Sequence, residues 1–198
     1  MSELDDLRRS IPDPIGVIRE LRRKLERQES NWEPLAAKLS PSIPSTETMP
    51  SETFDDIRWL LGEPRFLREE DSWLLVDLLR TQWDWMLPEQ RDALRGPLTR
   101  AFDAFAASTG AFVISEILGE RYCDSAALEV LSTLGRGASL PAKALVPHGL
   151  EVLAMSTQDQ ALRAKAVATL RDLASDEVED VQSEARLALA HLDKAGTG

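Results

Sequence analysis

The chain has 198 residues, 43% of them apolar and 29% charged, and a formal charge of -11. That length accommodates one sizeable core, or one domain with a small appendage. Such an acidic balance argues against general nucleic-acid binding, which needs clustered Lys and Arg, and against docking on an anionic membrane.

Residues 1–50 hold eight basic and nine acidic side chains, so most of the negative charge lies in the remainder. The N-terminus, Met1-Ser2-Glu3-Leu4-Asp5-Asp6, lacks the apolar stretch of a signal peptide. The single cysteine, Cys123, cannot form an internal disulfide. Together these features predict a cytoplasmic protein.

Leu4, Leu7, Ile11, Ile18, Leu21 and Leu25 recur at three- and four-residue steps, one seam of a helix interrupted by Pro12 and Pro14. Asp13-Pro14 reads as an N-cap followed by proline at the first helical position, opening a helix over about 14–29. Its charges are closely interleaved. Glu20 and Lys24, and Arg22 and Glu26, stand four apart and support the helix. The seam of Ile15, Ile18, Leu21 and Leu25 packs either on the body in cis or on a second chain, so oligomerisation through this helix is one expectation.

Residues 40–53 contain three prolines and many hydroxyl side chains, a composition that reads as a linker. The expected organisation is an N-terminal helical segment over 1–39, this linker, and a helical domain over 54–198. Thr53 and Asp56 have capping-box spacing and predict a helix through Leu61, ended by Gly62 and Pro64. Asp71 is the expected cap of a helix over 72–87. Apolar residues there exceed one stripe, which places it between neighbours. Trp83 and Trp85 cannot both occupy the centre of one narrow helical stripe. Either one is exposed, where a tryptophan can anchor a partner, or both pack among three helices. Pro88 starts another helix, in which Gly96-Pro97 predicts a kink or break.

The remaining helices are short and evenly spaced, near 110–121, 125–135 and 140–155. Thr157 and Gln160 suggest a capping box for the next, and Val178, Val181, Ala185, Ala188 and Leu192 mark the last. No alternating strand pattern occurs.

The stretch Asp159-Gln-Ala-Leu-Arg-Ala-Lys-Ala-Val-Ala-Thr-Leu170 resembles the helical HEAT-like repeat family, of armadillo-like α-solenoid architecture. Asp159, Leu162, Arg163, Ala166 and Leu170 match its pattern, and Val167 replaces the second Ala. Leu145–Leu153 looks like a partner helix, and Ser125–Leu131 is similar in kind. In the last helix Gln182 stands where Arg would, and Val178 where Asp would, as in a capping unit. The resemblance covers roughly residues 110–193. It implies an all-α fold in which antiparallel helix pairs stack right-handedly into a superhelix, with the N-terminal helix separate.

Chemistry-bearing residues are sparse. His148 and His191 lie far apart in sequence, His148 reading as a packing residue and His191 as a complement to a helix C-terminus. With Cys123 they make no zinc set. No phosphate loop or nucleophile motif is present. Glu69-Glu70-Asp71 and the acids at 176–180 fit helix N-termini better than acid/base pairs. No catalytic residue, metal or cofactor is therefore expected. The expected function is a protein-binding scaffold that steers a basic protein partner to its acidic surface, with Asp77, Asp84, Trp85, Glu116 and Glu120 as candidate contacts. An inhibitor of a basic toxin or nuclease is the alternative, and an enzyme or ligand-binding helical domain the third.

Overall fold

A computed structural model describes residues 13–39 and 48–196, and every regular element among them is helical. The seam residues Leu4, Leu7 and Ile11, and most of the Pro/Ser/Thr-rich segment, lie outside the described residues. The chain divides into two compact units, residues 1–110 and 111–198.

In the first unit, helix α1 (Pro14–Glu26) starts as the sequence predicts. The Asp13 carboxylate accepts from the Ile15 and Gly16 amides at 3.1 and 3.2 Å. The helix stops three residues earlier than expected, before Gln28 and Asn31, whose φ angles are 56° and 64°. Val17, Ile18, Leu21 and Leu25 are its buried face, and it lies against α3 (Ser51–Leu60). Arg22 Nη1 reaches Asp56 of α3 at 2.8 Å while its Nε holds Glu26 at 2.8 Å. Arg23 bridges Glu20 and Glu29 at 2.6 and 2.8 Å. These hydrogen bonds hold both carboxyls below the usual range and raise the guanidinium.

The expected Thr53–Asp56 capping box does not form. α3 begins at Ser51 with no side-chain cap. Asp56 is taken by Arg22, and Thr53 is buried, its hydroxyl without a hydrogen-bond partner among the described residues. Two short helices, α2 (Glu33–Ala36) and α4 (Pro64–Leu67), flank this pair. Arg65 Nη2 donates to the Leu25 carbonyl at 2.7 Å, which also accepts from the Gln28 amide at 3.1 Å, so the end of α1 is tied to the segment that carries α4.

The helix expected over 72–87 is three pieces. A 3-10 turn over Glu70–Ser72 leads into α5 (Trp73–Thr81), and a second 3-10 turn covers Trp83–Trp85. Asp71 lies inside the first turn rather than capping a helix. The break falls at Gln82, with φ -104° and ψ 37°. In a continuous helix residues 83 and 85 would sit about 200° apart. The break lets both indoles turn inward, and they are 8% and 6% exposed. Helix α6 (Pro88–Ala101) then runs unbroken through Gly96-Pro97, where a kink or break was expected, with Pro97 buried. Gln90 serves both its own helix and the loop before α3, accepting from Leu87 N at 2.9 Å and donating to the Met49 carbonyl at 3.1 Å.

The unit boundary falls within α7 (Ser108–Glu116), which continues as a π-helical segment, Ile117–Tyr122, and ends at Cys123 with φ 44°. Four helices follow: α8 (Ser125–Gly137), α9 (Val146–Ser156, after a 3-10 turn over Ala142–Leu145), α10 (Gln160–Leu173) and α11 (Glu179–Gly196). α9 touches the π segment, α8, α10 and α11. Its contact with the π segment is backbone on backbone: a Cβ on Gly119 would lie 2.4 Å from the Gly149 carbonyl oxygen. Lys143, before α9, pairs with Asp176, before α11, at 2.8 Å. Glu151 further along α9 meets His191 further along α11 at 3.0 Å. The two helices therefore run in the same direction.

The cap of α10 also differs from expectation. Asp159 accepts from the Ala161 and Leu162 amides at 2.8 and 3.3 Å, and Thr157 instead accepts from Asp159 N at 3.1 Å. A carboxylate beside the helix start complements the dipole as well as the amides, so Asp159 takes the position. In α11 only Val181, Ala185, Ala188 and Leu192 are buried. Leu187 is 51% exposed.

Candidate partner-binding surface

The five side chains singled out in the sequence do not form one cluster. Asp77, Asp84 and Trp85 belong to the first unit, Glu116 and Glu120 to the second. Asp77 is half-buried and held by Arg80, whose Nη2 and Nε donate at 2.8 and 3.2 Å. Asp84 stands in solvent with Arg91 at 3.0 Å. The same guanidinium donates to the Trp83 carbonyl and lies over its ring at 5.7 Å. Trp85 is buried, so in this conformation it offers no exposed anchor.

Glu116 points at His148 of α9, with 3.6 Å between carboxylate and Nε2, and the imidazole stacks on Phe112 at 4.4 Å. Glu120 is half-exposed beside Arg121 at 3.8 Å. The histidines therefore tie helices together: His148 faces α7 and His191 faces α9. Asp84 and Glu120 are the two candidates that remain well exposed.

A surface not singled out in the sequence lies between α8 and α10. A broad, open groove of about 430 Å³ separates Ser125, Glu129 and Ser132 on one helix from Lys165, Ala168 and Asp172 on the other. Leu128, almost buried, contributes to its floor, and Thr169 lines it with a hydroxyl that donates to the Lys165 carbonyl. Both walls are built by the same local rule. Ala127 and Leu131 of α8, and Leu162, Ala166 and Leu170 of α10, are buried, and α9 contacts both helices from the core side. The outward positions carry Ser, Ala and Thr, so the groove is not filled by its own walls. The signal existed in the sequence as small residues off the apolar stripe, but nothing local says that two such faces become neighbours.

The groove carries two acids and one base. It is shallow and lacks the convergent titratable groups of a catalytic cleft. Elsewhere in this unit, burial pushes the Cys123 thiol up, away from the reactive thiolate. No cluster of three or more His, Cys, Asp or Glu able to share a metal ion occurs among the described residues. No helix among them is long and apolar enough to cross a membrane. Comparison with protein-family models, with curated proteins and with solved structures finds no match for this chain.

Proposed function

We propose that the chain is a non-catalytic scaffold, and that residues 111–196 form a HEAT-like stack that receives a segment of a partner protein in the α8–α10 groove. The observation that carries this reading is the groove itself, an open channel across two helices supported by one central helix. Stacked helix pairs recognise partners through extended surfaces of this kind rather than through deep pockets. Small side chains at Ser132 and Ala168 allow close approach of a helix or an extended segment. Glu129 and Asp172, set in a chain of formal charge -11, favour a partner segment with basic side chains. The alternation of neighbours supports the repeat reading, because α9 lies beside α11 and α8 beside α10.

The test uses two bulky substitutions in the groove, Ser132→Arg and Ala168→Arg, in the full chain. A protein partner that co-purifies stoichiometrically with the wild-type chain should be lost from both variants while their melting temperatures stay unchanged. A partner retained by both variants, or lost equally from a control charge change at Asp84, would place the binding surface elsewhere.

A further inference from the structure

We propose that the cleft between α4 and the end of α6 binds a small apolar molecule carrying a carboxylate. The cleft has a volume of about 400 Å³ and lies wholly within the first unit, at the level of Leu61, Leu67 and Ala104. That volume falls within the span of small-ligand sites, roughly 300–1,000 Å³. Its walls combine an apolar floor with charge at the rim. Pro64 and Ala104 present exposed apolar surface above the buried Leu61 and Leu67, and Arg68 and Arg100 enter from the ends of two different helices.

The arginines are the discriminating feature. In this acidic chain the guanidiniums of the first unit mostly face carboxylates: Arg22 with Asp56, Arg65 with Glu63, Arg80 with Asp77, Arg91 with Asp84. Neither Arg68 nor Arg100 makes an ion pair or hydrogen bond with another of the described residues, yet both line the same cleft. A cation at a helix C-terminus is favourable by itself, which accounts for each arginine separately. It does not account for two of them converging on one concave, apolar-floored site. A guanidinium presents a planar fork of donors that matches a carboxylate with two parallel hydrogen bonds, and two forks can hold both oxygens while the apolar tail lies against Pro64 and Ala104.

Asp103, on the same rim, sets the charge preference. Two arginines and one aspartate leave the cleft with a single net positive charge, which suits a monoanion and disfavours a dianion. The frame is rigid where it matters. Leu67 accepts from the Ala106 amide at 2.9 Å and from the Ser72 hydroxyl at 3.3 Å, and Gly62 closes α3 by donating to the Trp59 carbonyl at 2.9 Å.

The experiment is nitrogen-15 NMR of the full chain titrated with hexanoate, hexan-1-ol and inorganic phosphate. Hexanoate should move the Gly62, Arg68, Arg100 and Ala104 amides saturably, and the alcohol should bind about tenfold more weakly or worse. The double variant Arg68→Gln/Arg100→Gln should lose at least about tenfold in hexanoate affinity while keeping the wild-type circular dichroism spectrum and a cooperative melt lowered by only a few degrees. Asp103→Asn should bind hexanoate more tightly, which tests the site with a variant that gains. Three results would overturn the proposal: no saturable shift around the cleft, equal binding of the alcohol, or undiminished binding by the double variant. Phosphate binding as tight as hexanoate would overturn the assignment to an apolar carboxylate.

Discussion

Replacing Gly119 by alanine tests a close backbone contact in the second unit, that between the π segment and α9. The new Cβ would fall 2.4 Å from the Gly149 carbonyl oxygen and 3.0 Å from both Leu153 N and Val152 Cβ. Ordinary van der Waals contact begins near 3.4 Å, so the π segment and α9 must separate by about 1 Å, given that non-bonded carbon contacts are optimal at roughly 3.5–4.0 Å. The obstructing oxygen belongs to a helix backbone and cannot swing aside as a side chain would. Overpacking costs about 1–3 kcal/mol, and backbone obstruction places Gly119→Ala toward the upper part of that range. Alanine returns up to about 1 kcal/mol through helix propensity, so a net loss of about 2 kcal/mol is expected. For a chain of this size that is roughly a 4–8 °C fall in melting temperature.

Gly137→Ala supplies the matched control. No atom lies within 4 Å of the Cβ that would be added there, and no glycine among the described residues has positive φ. It should leave stability unchanged or raise it by up to about 1 kcal/mol. Thermal melts and urea titrations followed by circular dichroism measure both variants. A Gly119→Ala chain that melts at or above the wild-type temperature would refute the close approach, whatever the control does.

Asp159→Ala should cost about 1 kcal/mol through loss of the α10 cap, whereas Gln160→Ala should leave the urea midpoint unchanged. Equal effects would restore the Thr157–Gln160 box. The Asp176 carboxyl is held below its ordinary value, first by the Lys143 hydrogen bond and then by the Val178 amide. Its depressed folded value makes its contribution complete above about pH 4, the unfolded range, and progressively lost as pH falls through the lower folded value. Lys143→Met should flatten that acid limb in urea titrations, and an unaltered limb contradicts the pairing. A double-mutant cycle on Arg22 and Asp56 should give a coupling of about 0.5–1 kcal/mol, as a partly exposed ion pair allows; zero coupling would show that this pair does not help hold α1 on α3. Burial raises the Cys123 thiol, so alkylation at neutral pH should proceed more slowly in the folded chain than in urea, and equal rates would count against that burial.

What was legible in the sequence was what a helix settles within a few residues of itself. Asp13 and Pro14 start α1 because a carboxylate meets free amides two and three residues on. Leu162, Ala166 and Leu170 lie inside because they share one face of a 3.6-residue period. The last helix, too, buries a single stripe at the spacing its sequence displays. Competition between distant partners was not legible. Asp56 had a local use as half of a capping box and instead went to Arg22, thirty-four residues earlier. The helix over 72–87 had a continuous apolar pattern, yet breaking it at Gln82 buries both Trp83 and Trp85, which one stripe cannot do.

Both candidate sites belong to this second category. Ser132 and Ala168 face one groove, and Arg68 and Arg100 line one cleft, because helices far apart in the chain became neighbours. The sequence by itself determined that the described chain is helical and, largely, which side of each helix is buried, since both follow from contacts between residues three and four apart. Only the tertiary structure decided which helices share a surface and which charges meet among the described residues, because those depend on where every other side chain has already gone.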